Sequence, residues 1–545
     1  MSQIVDPRAP CLIGVGRQTW RAGPGGGPGG GPGGGPGGGP GVSQEAPEPL
    51  EMWDLVARAA AADAGTGSDG RVRERIDLID VVYCQSWDYD DPAGRLATRI
   101  GATRARGHYS GIGGSIPQTL LSEAAADILA GELDLVLVVG GEALATVRQI
   151  RKEGRRPDWS HKAPERRPFP FDIPFHPAEM AHSIFEAYLT FSLFDSARRA
   201  HLGRALDDHQ AWLGRLMAPM TVAAAADPTH AWFPIRRDAE ELSTPTAANR
   251  MVAYPYTKLM MAIMDVDMAA ALLLASHECA DELGVPPEQR VYLRGWGNAR
   301  DPDYVAEHRD LWRSPAMAVA ARAALAGAGI RTEDVTHFDL YSCFPSSVAF
   351  GADALGLDLD MVTDGARPLT VTGGLPYHGG PGSNYMTHSI AAMAERLRSD
   401  AGAFGLVSGV GMHMTKHAYG LWSTQPGRLS PPDPRAMAQD LDRERDRTPA
   451  LEPGPAGVLE PATDPEGRVT ITVEADGPAA VAAYTVLHDR EGSATWAPLV
   501  CNLADGTRCY ARADDPGMLA AAEREELIGQ TVHLVVREGV NHAQA

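Results

Sequence analysis

The chain has 545 residues and a formal net charge of −21, and this length predicts three or four structural units. Hydrophobic residues make up 44% of it, which excludes disorder as the main state, and the acidic balance argues against a nucleic-acid partner. No apolar run approaches the roughly 18–20 residues that a membrane-spanning helix needs, and the first residues do not resemble a signal peptide. We therefore expect a cytoplasmic protein.

The first part of the chain alternates between strand and helix patterns. Between the first strand and the first helix, residues 23–41 repeat Gly-Gly-Gly-Pro, a composition that predicts a loop inside the first domain. The predicted elements are a strand at Cys11–Arg17, a helix at Glu48–Gly65, a strand at Leu78–Ser86, a helix at Gln118–Ala130 and a strand at Asp134–Gly140. This alternation indicates a mostly parallel sheet that helices cover on both faces.

Residues 145–250 interrupt the alternation, and their composition indicates an inserted region with one clear helix at Ser196–Met217. The alternation then resumes. The predicted elements are helices at Val266–Leu283, Pro315–Ala326, Ser346–Leu355 and Asn384–Arg398, and strands at Val291–Gly295, Phe338–Tyr341 and Ala403–Ser408. The two halves end in similar helix-then-strand patterns, which suggests an internal duplication.

Residues 424–465 are rich in proline and charge and predict a linker that few contacts cross, so the core is expected to fold without the C-terminal residues. After the linker the pattern changes to short strands, which predict a small β-barrel. The predicted strands are Arg468–Val473, Ala480–Asp489, Thr495–Leu503, Thr507–Ala511 and Thr531–Val536, with a helix at Pro516–Glu526.

Six cysteines show no metal or disulfide spacing. Cys501 and Cys509 flank an Asp505-Gly506 turn. If that turn is a two-residue hairpin loop, the two thiols face opposite sides of the ribbon, so a disulfide between them is not expected. His413 and His417 are four residues apart, but no further ligand completes a metal site and the segment follows a strand, which favours structural roles.

Three segments carry a resemblance to the thiolase superfamily. They are Gly111–Gln118 with the helix and strand after it, Pro255–Ser276, and Phe338–Leu357, whose Tyr-Ser-Cys-Phe is similar to the His-Asp-Cys-Phe of sterol-carrier-protein-type thiolases. The resemblance covers about residues 8–424. It implies a duplicated, five-layered αβαβα fold, here with an inserted region and an additional C-terminal β-barrel of oligonucleotide-binding type.

The implied domain organisation follows the chain. It comprises an N-terminal half at 8–144, the insert at 145–250, the end of the N-terminal half at 251–290, a C-terminal half at 291–423, the linker at 424–465 and the barrel at 466–545.

Thiolases need a nucleophilic thiolate, a histidine that activates it and a second acid/base group. Aligned with the family motifs, Gly113 stands at the nucleophile position and Gly380 at the histidine position. Tyr341 stands at the usual Asn or His, and Val407 at the late cysteine. The resemblance thus implies a fold whose usual catalytic side chains are absent at all four positions.

Two residues remain as candidate catalytic groups. Cys343 matches the acid/base cysteine of the sterol-carrier-protein-type motif, or is simply a small buried residue. His378 lies two positions before the lost histidine and either reaches the pocket or is structural. Ser115 and Ser342 would be nucleophiles only with a base within hydrogen-bond reach.

Two functions follow from the resemblance. The first is an acyl-CoA acyltransferase of the acetyl-CoA acetyltransferase class with altered catalytic residues. The second is a catalytically inactive acyl-CoA-binding, lipid-binding or scaffold protein. Either would take coenzyme A or an acyl-CoA as ligand, act as a monomer or homodimer, and offer its C-terminal domain to a protein partner. No metal or tightly bound cofactor is expected.

Overall fold

A computed structural model describes residues 5–21, 46–165, 170, 175–446, 461–464 and 466–544. The Gly/Pro repeat at 23–41 and residues 447–460 of the predicted linker lie outside this part. The strands are β1 (Pro10–Thr19), β2 (Leu78–Val81), β3 (Arg106–Tyr109), β4 (Leu135–Ala143), β5 (Met251–Ala253), β6 (Tyr256–Thr257), β7 (Asp267–Ser276), β8 (Val291–Arg300), β9 (His337–Asp339), β10 (Phe404–Gly411), β11 (Lys416–Ser423), β12 (Gly477–Tyr484), β13 (Leu487–His488), β14 (Ala494–Asn502), β15 (Arg508–Ala513), β16 (Thr531–Arg537) and β17 (Val540–Gln544).

The helices surround and separate these strands. They are α1 (Pro49–Asp63), α2 (Asp69–Glu74), α3 (Pro92–Ile100), α4 (Ile116–Ala130), α5 (Leu144–Lys152), α6 (Pro177–Ala181), α7 (Ala187–His201), α8 (Leu206–Ala226), α9 (Ala239–Ser243), α10 (His277–Leu283), α11 (Pro315–Ala328), α12 (Pro345–Ala354), α13 (Leu359–Thr363), α14 (Tyr385–Ser399), α15 (Pro434–Asp446) and α16 (Pro516–Ala522). None of the helices in the described ranges is both long and apolar enough to cross a membrane.

Nine strands form one sheet in the order β3-β2-β4-β7-β1-β8-β11-β10-β9. The sheet has two equivalent halves that meet where β1 pairs with β8. Outward from this junction, β1, β7, β4 and β2 correspond to β8, β11, β10 and β9. The matching order confirms the predicted duplication.

The layers repeat in the same way. Gly14 and Gly16 of β1 allow a close approach of α1. A Cβ added to Gly14 would lie 2.0 Å from the Ala60 carbonyl oxygen, and one added to Gly16 would lie 2.3 Å from the Val56 carbonyl oxygen. Gly295 and Gly297 of β8 bring α11 equally close. Helices α4 and α14 contact strands of both halves and so form the central layer. This is the five-layered αβαβα arrangement that the family resemblance implies.

Two of the predicted helices are wrong. Val266–Leu283 divides into strand β7 and helix α10, because residues 267–276 pair with β1 on one side and β4 on the other. The insert's helix does not span Ser196–Met217 without a break. It ends at His201, beyond which Gly203 has a left-handed φ of 64°, and α8 begins at Leu206.

The C-terminal residues form a closed barrel of strands β12, β16, β17, β15 and β14, which β12–β14 pairing closes. The predicted strand at Arg468–Val473 consists only of isolated bridges, and β17 lies beyond the predicted elements. The hairpin prediction is also wrong. The Leu503 N–H donates to the Thr507 carbonyl and closes the loop. Cys501 therefore pairs directly with Cys509 across the two strands. Both thiols are free and buried.

The segment predicted as a linker contains α15, whose Asp440 pairs with Arg322 of α11 at 2.8 Å. The barrel also shares the main apolar core: Trp496, Val500 and Tyr510 belong to the same buried cluster as the central helices. Strand β13 pairs with β5, which directly follows the insert. The expectation that few contacts join the barrel to the core is therefore wrong.

Candidate functional site

The loop at the predicted nucleophile position leads directly into helix α4. Gly113 has a φ of 150°, and its N–H donates to the Ser383 hydroxyl at 3.0 Å. A Cβ on Gly113 would meet only the Cα of Gly411 and a side-chain carbon of Ile116, both at 3.7 Å. The position therefore has no side chain and has free space around it, but its positive φ would strain a residue that carries a Cβ.

Tyr341 lies against the next residue of this loop. A Cβ on Gly114 would lie 2.1 Å from the Tyr341 hydroxyl oxygen and 2.4 Å from the Val410 carbonyl oxygen. The Tyr341 N–H donates to the Ser408 hydroxyl at 3.0 Å, which fixes the tyrosine beside strand β10. Burial raises the pKa of the phenol well above its usual value, so Tyr341 stays protonated.

The other two aligned positions are apolar. The Gly380 N–H donates to the Ile263 carbonyl at 2.9 Å, and a Cβ there would come within 3.0 Å of the Leu375 side chain. Val407 is fully buried in the middle of β10, opposite Asp339 and Gly420. The residues of β10 that approach the nucleophile loop lie nearer the end of the strand, at Gly409 and Gly411.

Cys343 lies two residues before the first residue of α12 and two residues after Tyr341. Its thiol donates to the Ser347 hydroxyl across 3.6 Å. Desolvation by burial raises the pKa of the thiol to about 12, and the hydrogen bond with Ser347 only partly opposes this. The thiol is therefore neutral at physiological pH, in contrast to the thiolate of an activated cysteine.

His378 is fully buried among rings rather than paired with an acid. Its ring centroid lies 5.4 Å from that of His388 and 6.0 Å from that of Tyr385. Burial lowers the pKa of His378 to about 3 and that of His388 well below its usual value, so both imidazoles are neutral. The His378 Nε2 atom and both ring nitrogens of His388 have no hydrogen-bond partner in the described ranges.

A buried network beside the site was missed by sequence reasoning. Asp339 at the end of β9 accepts hydrogen bonds from the hydroxyls of Thr370 at 2.9 Å, Thr372 at 3.0 Å and Tyr385 at 2.8 Å. The Tyr385 ring in turn packs edge-on against Tyr341, with centroids 5.7 Å apart. The two threonines, which stand two residues apart before two glycines, were a signal for such a network.

The remaining sequence candidates have separate partners. Ser342 is buried, and its hydroxyl accepts from the Leu375 N–H at 3.1 Å, which is a structural role. Ser115 precedes the first residue of α4. His417 contacts Asp301 at 3.1 Å, whereas His413 contacts Thr190 at 2.8 Å, so the two do not act together. Over the described residues, no group of three or more His, Cys, Asp and Glu could hold a metal ion.

Comparisons with known proteins agree with this fold. Residues 459–538 match the family model of the thiolase-like protein type 1 additional C-terminal domain. The chain is 31% identical to a monomeric SCP2-thiolase-like protein type 1 from Mycobacterium smegmatis, with a TM-score of 0.79 over 99% of this chain and 100% of that chain. No curated protein matches the chain.

Two more distant structures share the fold alone. The dimeric peroxisomal thiolase of Saccharomyces cerevisiae is 14% identical, with a TM-score of 0.51 over 77% of this chain and 98% of that chain. The Ltp2-ChsH2(DUF35) aldolase is 16% identical, with a TM-score of 0.54 over 77% of this chain and 100% of that chain.

Proposed function

Because this chain belongs to the SCP2-thiolase-like proteins of type 1, within the thiolase superfamily, we propose that it binds acyl-CoA thioesters but does not catalyse thiolysis. The observation that carries the proposal is the nucleophile loop. Gly113 has no side chain to carry an acyl group, and Tyr341 fills the space beside Gly114.

The alternative of an active acyltransferase would need another nucleophile. Cys343 is the one thiol at a family-matched position, and its pKa of about 12 leaves only a minute fraction as thiolate near pH 7. His378 is neutral, but its contacts are His388 and Tyr385 rather than a thiol. Binding without acyl transfer is the function that these contacts support best.

The test compares wild type with Cys343→Ala and Gly113→Cys. We expect no thiolysis of acetoacetyl-CoA and no acyl adduct by intact mass with wild type, together with micromolar-range binding of acyl-CoA by calorimetry. Gly113→Cys restores a thiol to a position with space for it but with a backbone φ of 150° that strains a residue bearing a side chain, and the folded variant tests whether the adduct can form. Robust thiolysis by wild type would overturn the proposal, and its loss in Cys343→Ala would assign the activity to that thiol.

Tyr341 favours a second candidate function, carbon–carbon bond cleavage without a covalent intermediate. A protonated phenol can donate a hydrogen bond to the oxygen of a thioester as negative charge develops there. One protein of the same fold is an aldolase. Cleavage of a 3-hydroxyacyl-CoA to an aldehyde and a shorter acyl-CoA by wild type, lost in Tyr341→Phe, would establish this function.

A further inference from the structure

The turn between β10 and β11 carries backbone strain next to the nucleophile loop. Met412 and Met414 have φ values of 57° and 62°, in the left-handed region that residues with side chains seldom adopt. Gly411, at the start of the turn, is the residue whose Cα faces the vacant position on Gly113 at 3.7 Å. Strain of this kind persists where the surrounding structure enforces it, and it clusters at functional sites.

The residue between the two strained methionines is His413. Its Nδ1 lies 2.8 Å from the Thr190 hydroxyl oxygen, and the same hydroxyl donates to the Ala187 carbonyl at 3.1 Å. When the hydroxyl proton is engaged with Ala187, Thr190 accepts from an Nδ1–H of His413. In this tautomer the proton is on Nδ1, and Nε2 is a lone-pair acceptor.

The surroundings keep this acceptor neutral and reachable. The His413 ring packs against Phe175, with centroids 5.5 Å apart, and Phe175 packs against Phe185 at 6.1 Å. Desolvation by burial lowers the pKa of His413 to about 4, so the imidazole is uncharged near pH 7. Although its neighbours desolvate the ring, part of His413 remains open to solvent, and its Nε2 is not among the fully buried unpartnered atoms of the described residues.

An exposed aromatic ring is connected to this imidazole. Phe185, which packs against Phe175, is 37% exposed and belongs to the insert that carries Thr190. His413 thus lies in the turn that touches the nucleophile loop and is linked through Phe175 to the exposed Phe185. Neither His378 nor Cys343 is placed in this way, since both are buried.

We infer that His413 is a ligand-binding residue at the mouth of the site, whose Nε2 accepts a hydrogen bond from an N–H or O–H group of an acyl-CoA. This rests on the proposed function. An acyl-CoA offers such donors in the amide N–H groups of its pantetheine arm and, in hydroxyacyl thioesters, in the hydroxyl of the acyl chain. Two ligands distinguish these sources: acetyl-CoA, which lacks the acyl hydroxyl, and 3-hydroxybutyryl-CoA, which has it.

The first experiment is carbethoxylation of wild type with diethyl pyrocarbonate, which modifies accessible neutral imidazole nitrogens, followed by peptide mapping. We expect modification of His413 and protection by saturating acyl-CoA. His108, whose side chain is 51% exposed on strand β3, is the control and should be modified equally with and without ligand. No modification of His413, or equal modification in the presence of bound ligand, would overturn the inference.

The second experiment measures affinity in variants. His413→Asn keeps a donor toward Thr190 but has no acceptor at the Nε2 position, and we expect about fivefold to tenfold weaker binding. His108→Asn is the matched control and should bind as wild type does. A larger loss with 3-hydroxybutyryl-CoA than with acetyl-CoA assigns the donor to the acyl hydroxyl, and an equal loss assigns it to the coenzyme A moiety that the two ligands share.

Calorimetry distinguishes a failure of the proposed function from a failure of the inference about His413. Binding that neither protects His413 nor weakens in His413→Asn overturns the role of His413 and leaves the proposed function intact. If neither thioester binds wild type, the proposed function fails, and the inference fails with it.

Discussion

Neighbouring glycines in the nucleophile loop differ sharply in the space around them. Gly113 has room for a side chain, whereas Gly114 faces Tyr341 and the backbone of β10. The sequence alignment identifies which residue stands at each family position, but it does not show which neighbour fills the space left by a lost side chain. The neighbours of Gly114 are Tyr341 and Val410, and both are distant from Gly114 in the chain.

Gly114→Ala should therefore destabilise the protein. Its Cβ would overlap the Val410 carbonyl oxygen, which cannot move away as the end of a flexible side chain can, and we expect a loss of about 2–3 kcal/mol in the free energy of unfolding. Gly351→Ala in α12 is the control, since the nearest atom to its Cβ lies at 3.6 Å. It should gain up to about 1 kcal/mol. Equal effects in chemical denaturation would show that the Gly114 contact is not rigid.

Glu142 is fully buried at the end of β4. Its carboxyl group accepts hydrogen bonds from the N–H groups of Gln85 at 2.7 Å and Ser86 at 2.9 Å. Desolvation raises its pKa from 4.5 to about 7. Between pH 4.5 and about pH 7, the folded state holds a proton on Glu142 that the unfolded state has lost. Stability therefore falls as pH rises through this window and levels off above about pH 7.

Glu142→Gln should flatten this dependence. Because its amide presents N–H groups to backbone donors, the variant should also be less stable overall. Melting temperatures measured from about pH 5 to 8 test both effects. Glu333→Gln, at a side chain that is 71% exposed, should leave the slope unchanged. A Glu142→Gln slope equal to that of wild type would mean that the carboxyl group titrates normally.

Sequence patterns identify most strands and helices of this chain but fail where a segment is apolar on every side. Residues 267–276 contain mainly alanine and leucine, which favour a helix, and no periodicity distinguishes a buried strand from a buried helix. Pairing with β1 and β4 on both sides decides in favour of a strand. The partners are distant in sequence, so local propensity could not reveal them.

The contact between barrel and core depends strongly on Arg508 of β15. Its buried guanidinium donates to the carbonyl oxygens of His308 and, at 3.0 Å, Arg309 on the core, and to Asn502 at 2.6 Å within the barrel. Arg508→Met would remove these hydrogen bonds and should cost at least about 3 kcal/mol in the free energy of unfolding.

Arg512 on the same strand is the control for this prediction. It pairs with Asp514 near the surface, and Arg512→Met should change the free energy of unfolding by about 1 kcal/mol or less. The measurement is denaturant unfolding of the full chain. Equal losses for the two variants would show that the Arg508 contacts add nothing specific.

The proline-rich composition of 424–465 separates the part of the chain with the nine-stranded sheet from the part with the barrel. It does not reveal how the barrel packs. Composition reports local chain properties, whereas the contacts between barrel and core depend on tertiary structure. Glu179 of α6 accepts from the Tyr510 hydroxyl at 2.7 Å, and Arg199 of α7 pairs with Glu526 at 2.6 Å. The barrel is an integral part of the fold.

A chain that ends at Ser423 should therefore not fold stably. It would expose the apolar surface that Trp496 and Tyr510 cover, and it would leave β5 without its partner β13. We expect aggregation, or a soluble state that binds hydrophobic dye and unfolds without a cooperative transition. A soluble product with a sharp thermal transition would contradict this prediction.

The pairing of β5 with β13 also has a consequence for synthesis on the ribosome. The Tyr254 carbonyl accepts from the Thr485 hydroxyl, and 231 residues separate the two in the chain. At roughly 5–20 residues per second, translation of that interval takes about 10–50 seconds. During this time β5 of the nascent chain has an unpaired edge, which exposes the growing chain to aggregation until β13 has emerged.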